Sequence, residues 1–300
     1  MQKVLFITCG LFCIANVYGF SFDTLWGECT LENNGNSIPD TELIKTIKLQ
    51  IQEMDYNYGP ILKDKFFIII TNNDDYLPNY QPWKWCLGIT FTNPDKIVLK
   101  DPALSKISKK RFYKVINHEL NHLMLNRFQY YNTIPRWYKE GIAMKIANEI
   151  SLDHKIQIAK NINNKNLFNI YQYSKFKKIS KKEFNFAYAI SAIYILSLEQ
   201  LYGKDINKSI LNNLNSGQPF DKAFYNATKV SLAELNDIIY VYIKRKFFWF
   251  RLIDFPKNIL SLMPLLLVIG FFIKSYKNKK IKEKWEIEEQ LEELEKTHKD

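Results

Sequence analysis

Five residues constrain this chain more than any others: His118-Glu119-Leu120-Asn121-His122, inside a run from Lys110 to Phe128 that has no Gly or Pro and carries helical periodicity. On a helix, residues four apart share one face, so the two imidazoles project side by side and can reach one metal ion. Glu119 follows the first histidine by one residue. Its carboxylate then lies beside the metal, placed to take a proton from a water there rather than to hold the ion. Leu120 and Asn121 are uncharged, so the helix can lie buried under a cleft. Two of the chain's four histidines fall in this window. A helix with two solvated or hydrogen-bonded histidines is the alternative, and the surrounding sequence must separate the two.

A metal held by two histidines needs a third protein ligand, with a water in the open position. A third histidine in the continuation H-x-x-G-x-x-H is absent: Leu125 stands at the glycine and Phe128 at the histidine. The remaining histidines are His154 and His298, the latter in a charged tail. Glu140 is the better candidate, within Ile134-Pro135-Arg136-Trp137-Tyr138-Lys139-Glu140-Gly141-Ile142-Ala143. Pro135 suits the first turn of a helix, which places Glu140 about a turn and a half into it. That helix can fold back antiparallel to the first and deliver a carboxylate to the same metal. Taken alone, Glu140 reads equally as a surface glutamate.

The two segments together, H-E-L-N-H and then P-R-W-Y-K-E-G-I-A, resemble the gluzincin zinc metallopeptidases, specifically the peptidase MA-like family. The resemblance implies a thermolysin-like site: Zn2+ held by His118, His122 and Glu140, Glu119 as general base, and a peptide or protein as substrate. It also implies an α+β, zincin-like domain, a small mixed sheet with the active-site helix followed by a helical lower half. Gly88-Ile89-Thr90-Phe91 and Lys96-Ile97-Val98-Leu99 resemble the family's edge-strand region. Phe186 to Ser191, Leu201-Tyr202-Gly203, Ala223-Phe224 and Leu232 to Leu235 resemble its C-terminal helices. Coverage runs from about Asp40 to Phe247. One position departs from the pattern: thermolysin carries an Asp four residues beyond its glutamate ligand, and Met144 stands there. The residue that supports the ligands is therefore unassigned.

Such enzymes hold an extended peptide by adding it as a further strand to an exposed edge, which makes Gly88, Ile89 and Thr90 candidate substrate-binding residues. At Gly88, close approach of the peptide backbone and a simple bulge are both open. Tyr188 is the candidate second catalytic residue. In several enzymes of this clan a tyrosine hydroxyl stabilises the tetrahedral intermediate. The chain has eighteen tyrosines, so a packing role for Tyr188 also stands.

Periodicity supplies the rest of the domain. Thr41 to Tyr56 spaces Leu43, Ile44, Ile47, Ile51 and Met54 for one helix face, with Asp40 as N-cap and Gly59-Pro60 as stop. Phe66 to Ile70 reads as a buried strand, and Trp83–Thr90 and Asp95–Leu99 as two shorter ones separated by an Asn93-Pro94-Asp95 turn. The metal helix is expected over Ser108–Tyr130, the second ligand helix over Pro135–Ile150. Four more follow at Phe184–Glu199, Ile206–Asn215, Pro219–Thr228 and Ser231–Lys246.

The two ends differ from the middle. After Lys3 the chain is apolar from Val4 to Val17 save Thr8, Gly10 and Asn16, and Val17-Tyr18-Gly19 precedes a plausible cleavage site before Phe20. Residues 1–19 thus read as a signal peptide, with an uncut anchor as the alternative. Cys9 and Cys13 would leave with it. Cys29 and Cys86 remain, and an even pair in an exported chain reads as one disulfide, two free thiols being the other possibility. Near the C-terminus, Ile259 to Ile273 is apolar except for Ser261, Pro264 and Gly270. That is short against the roughly twenty residues of a spanning helix. Counted from Pro256 to Lys274, with snorkelling lysines, a single transmembrane span is feasible; a helix lying on the membrane or in a core is the alternative. The expected order is signal peptide (1–19), exported domain (20–246), membrane span (256–274) and charged cytoplasmic tail (275–300).

The formal charge of +11 invites a nucleic-acid reading. Lysines, however, thicken only around the C-terminal apolar segment, where anionic lipid is the expected partner. No nucleic acid is expected. The rival to a peptidase is a non-catalytic, membrane-tethered binding or assembly protein on the same scaffold.

Overall fold

The computed structural model describes residues 19–77, 86–169, 181–248, 250 and 259–297. The chain divides into two units, one ending at Phe248 and one beginning at Trp249.

The first unit is built on strands β1 (Phe20–Thr24), β2 (Gly27–Asn33), β3 (Phe66–Thr71), β4 (Gly88–Thr92) and β5 (Asp95–Lys100). Their order across the sheet is β1-β2-β3-β5-β4. β2, β3 and β5 run parallel, while β1 is antiparallel to β2 and β4 antiparallel to β5. The apolar run at Phe66 becomes the central strand because it can be covered on both faces. The β1–β2 hairpin has no counterpart in the sequence reading, although Phe20, Phe22 and Thr24 alternate as a half-buried strand should. Its turn depends on Gly27 at φ 116°, where a Cβ would meet the Asp64 carbonyl oxygen at 2.2 Å. The strand expected from Trp83 begins only at Gly88; residues 83–85 lie outside the described ones.

Among the described residues of this unit, the α-helices are α1 (Asp40–Tyr58), α2 (Pro102–Ser105), α3 (Lys109–Asn126), α4 (Arg136–Ile146), α5 (Leu152–Asn161), α6 (Lys181–Tyr202), α7 (Ile206–Asn215), α8 (Phe220–Thr228) and α9 (Leu232–Phe247). The mixed sheet followed by a helical half is the expected α+β zincin-like arrangement. Helix α3 starts at Ser108, whose hydroxyl accepts from the Arg111 N–H at 3.2 Å; such a cap is worth about 1 kcal/mol. Phe112, Ile116, Leu120, Leu123 and Met124 of α3 are buried, and α3 lies against β4, β5 and α4. At its far end the Arg127 guanidinium bonds Asp95 (2.8 Å) and the carbonyls of Trp26 (2.6 Å), Leu62 (3.2 Å) and Asp64 (3.1 Å). One buried cation thereby ties the metal helix to several points around the sheet.

Side chains alternate across the sheet. Ile69 and Val98 face away from α3 and are covered by Tyr76, Leu77, Cys86, Ile89 and Phe91. Cys29 is in register with Phe66, on the other face. The expected Cys29–Cys86 disulfide is therefore corrected: both cysteines are free. Cys86 leads into β4, three strand spacings from β2, or about 14 Å, while a disulfide needs Cα atoms about 4.4–6.8 Å apart.

The second unit carries helix α10 (Ile259–Thr297) among its described residues. Met263, Leu265 to Ile269 and Phe271 to Ile273 are all exposed. Among the described residues no helix is long and apolar enough to cross a membrane, so the span expected over Pro256–Lys274, which begins outside those residues, has no support from them. The apolar part of α10 ends at Ile273, fifteen residues from Ile259. That is about 22 Å of helix against a hydrocarbon core of about 30 Å. Residues 251–258, needed to extend it, lie outside the described ones, as do residues 1–18 of the expected signal peptide.

Candidate metal centre

Helix α3 presents His118 and His122 on one face, and α4 delivers Glu140 opposite them. The two Nε2 atoms stand 3.1 Å apart, and Glu140 Oε2 lies 3.3 Å from that of His122 and 3.6 Å from that of His118. A tetrahedral ion with bonds of about 2.0–2.1 Å holds its ligand atoms about 3.3 Å apart. All three edges fall close to that value. Glu140 Oε2 is also a buried acceptor without a hydrogen bond, an arrangement that costs free energy unless something occupies the space it faces. The residues present therefore fit a metal held by two imidazoles and one carboxylate.

Glu140 comes into range because α4 crosses α6 very closely. A Cβ on Gly141 would lie 2.5 Å from the Ser191 carbonyl oxygen and 2.6 Å from Ile195 Cγ1; only glycine permits this approach. The other oxygen of Glu140 accepts from Arg136 Nε at 3.2 Å, one turn earlier on α4. Tyr188, on α6, lays its ring parallel to that of His118, with an interplanar angle of 12° and centroids 6.2 Å apart. Its hydroxyl meets Glu140 and Arg136.

The support for His118 comes from Glu149, whose Oε2 lies 2.9 Å from Nδ1. A carboxylate so placed would serve as the outer partner of a metal-binding histidine, fixing its tautomer and ring orientation. Met144, at the position where thermolysin carries an Asp, is buried. Sequence reasoning missed Glu149 because it carried the second helix through Ile150. The helix in fact stops at Ile146. Asn148 adopts φ 49°, with Asn148 N–H bonded to the Lys145 carbonyl (3.0 Å) and Glu149 N–H to the Met144 carbonyl (2.9 Å). That is a Schellman ending, in which asparagine can replace the usual glycine. Ser151 then caps α5 in a capping box with His154, so that histidine is used locally. An Asn followed by a Ser-capped start was the signal available for this break.

Glu119 is held from β4. Thr90 Oγ1 donates to Glu119 Oε2 at 2.7 Å and reaches its backbone carbonyl oxygen at 3.1 Å. A Cβ on Gly88 would come within 2.7 Å of Glu119 Cγ. The glycine thus makes room for Glu119 itself. Ile89 points to the opposite face, onto Ile69 and Val98. Of the three residues expected to bind substrate, two contact the glutamate and one packs on the sheet.

Charges around the triad reinforce one another. Burial works against a protonated His118, but Glu140 and Glu149 beside it, with Glu119 nearby, outweigh burial and push it up to about 10. Burial would raise Glu140; the adjacent His122 and His118 overcome it and hold the carboxyl well below its usual range. Glu149 is lowered for a similar reason, burial being outweighed by His118 and Arg111. A field that retains a proton this strongly also favours a divalent cation, whose entry displaces that proton. Beside the triad opens a cavity of about 520 Å³ bordered by His122, Glu140, Arg136 and Lys139.

An antiparallel edge strand over a helix bearing two histidines and a glutamate, with a third acid from the next helix, defines a metallopeptidase-like scaffold. The sequence matches the Peptidase MA superfamily over residues 56–245, more than half its length, and the chain belongs to that superfamily. No curated protein matches it. Among solved structures, a point mutant of the M1 zinc metallopeptidase from Deinococcus radiodurans is similar at a TM-score of 0.38 and 10% identity, with 72% of this chain and 48% of that one covered. The chain thus spans about half the length of that protein.

Proposed function

We propose that this chain is a zinc-dependent metallopeptidase that hydrolyses peptide bonds, with His118, His122 and Glu140 holding the metal. The observation that carries the reading is the convergence of three ligand atoms at tetrahedral spacing around an unsatisfied buried carboxylate oxygen. Zinc bound there supplies Lewis acidity, polarising a carbonyl and making water a stronger acid. Glu119 acts as general base: Thr90 holds one carboxylate oxygen, and the other takes the proton of the attacking water and hands it to the leaving amine. Glu149 keeps His118 in the tautomer that presents Nε2 as a ligand. We assign Tyr188 to orienting Glu140, because its hydroxyl already meets that carboxylate. A direct catalytic role would require the hydroxyl to leave it.

The proposed setting is outside the cytoplasm, attached to a membrane through the exposed apolar stretch of α10. The lysines that follow it suit anionic head groups. The test of the chemistry is Glu119→Gln. It should keep its metal and lose hydrolysis by about 10²–10⁴-fold on any peptide the unmodified chain cleaves; a variant that still cleaves would remove Glu119 from the mechanism.

A further inference from the structure

The cavity beside the triad has a chemistry of its own. Its wall includes two proposed ligands, His122 and Glu140, so whatever enters it lies next to the reacting bond. Neither Glu119 nor any residue of β4 is part of that wall, which is drawn mainly from the start of α4 and the residues before it. The remaining border, from Asn132 to Lys139, carries no acid besides Glu140 and two bases, Arg136 and Lys139. The two cations are not equivalent. Arg136 is committed to Glu140 through its Nε. Lys139 is half-buried, its ammonium 5.2 Å from the centre of the Tyr131 ring, and no carboxylate pairs with it among the described residues. Other buried or half-buried lysines of this unit do have such partners, Lys100 with Asp74 at 2.6 Å and Lys145 with Glu199. Glu140 and Arg136 act on this ammonium from nearby without pairing with it, and a partly desolvated ammonium that no carboxylate pairs is a site for an anion.

We infer that this cavity is a specificity subsite which receives a carboxylate of the substrate, with Lys139 as its counter-charge. The inference rests on the peptidase reading and names the substrate class for it: peptides with an acidic group close to the scissile bond. The carboxylate has two possible sources, an Asp or Glu side chain or the free C-terminus, and both present the same planar anion. Arg136 adds positive potential while remaining on Glu140. Ile134, buried at the cavity edge, excludes water from one side and strengthens the pairing.

Binding tests this separately from hydrolysis. The full chain carrying Glu119→Gln, loaded with zinc, is titrated with fluorescein-labelled decapeptide mixtures that are degenerate except at the centre, fixed as Glu or Gln. Each mixture is made with a free and with an amidated C-terminus. The acid-bearing probes should bind about tenfold more tightly than their neutral counterparts, as expected for one charge-assisted contact. A preference that follows central Glu assigns the side chain; one that follows the free C-terminus assigns the terminal carboxylate. Adding Lys139→Met should bring the ratio close to one, and Lys139→Arg should keep most of it, with zinc content equal in all three chains. Equal binding of acidic and neutral probes, or a preference that survives Lys139→Met, overturns the inference. Absence of hydrolysis by the zinc-loaded unmodified chain would count against the peptidase reading and leave this binding result standing on its own.

Discussion

At the scale of single residues, the site depends on contacts that orient groups more than on the groups' identities. Thr90 is the clearest case, since its hydroxyl spans both the carboxylate and the backbone carbonyl of Glu119. Thr90→Val keeps the shape and removes the donor. It should lower kcat by roughly tenfold, the worth of one hydrogen bond to a charged group, with zinc content unchanged; a variant with normal kcat would show that Glu119 needs no such hold. Glu149→Ala should weaken zinc binding by about 10–100-fold, as removal of an outer carboxylate does, measurable by competition with a chelator. Equal affinity would mean that His118 is oriented by something else. The proposed ligands were legible in the sequence because the i, i+4 spacing and the Trp-Tyr-Lys-Glu-Gly segment are local patterns. Thr90 and Glu149 were not legible in these roles, since each meets its partner across 29 and 31 residues of chain.

At the scale of elements, the position of α4 decides whether a third ligand exists. Gly141→Ala would force a methyl into the Ser191 carbonyl and Ile195. Overpacking of this kind costs about 1–3 kcal/mol, or a melting temperature lower by roughly 2–10 °C for a domain of this size, and it should weaken zinc binding by moving Glu140. Unchanged melting and unchanged zinc affinity would show that α4 can shift freely. The charge cluster gives a pH prediction for the zinc-free protein. His118 is raised from 6.5 to about 10, so its contribution to stability is complete below about pH 6.5 and is lost as pH rises towards 10. Glu140 and Glu149 are lowered; their contribution is present above the ordinary glutamate range and fades as pH falls through their folded values. Thermal melts of chelator-treated protein should therefore decline between pH 6.5 and 10, and His118→Ala should flatten that limb. A decline of the same size in His118→Ala would place its origin elsewhere. The helices of the lower half could be read from spacing because their apolar faces repeat locally, whereas the β1–β2 hairpin and the break at Asn148 depend on what lies across the sheet and beside α3. The disulfide expectation failed for the same reason: two cysteines counted as a pair reveal nothing about strand order.

At the scale of the whole molecule, the chain joins a sheet-and-helix unit that carries the site to a helix whose apolar side chains are uncovered. The exposed stretch from Met263 to Ile273 should make the full chain float with anionic vesicles, and removal of residues 249–300 should release it. A truncated chain that still floats would move the membrane contact into the first unit. Everything proposed for the first unit depends on one premise, that three side chains from two helices hold one ion. The most direct test is the metal content of the full chain, purified after supply of zinc, alongside His118→Ala and Glu140→Ala. One zinc per chain is expected in the unmodified protein, and well under one in either variant. A folded, unmodified chain that takes up no zinc, or a Glu140→Ala variant that holds it as well, would contradict the site described here.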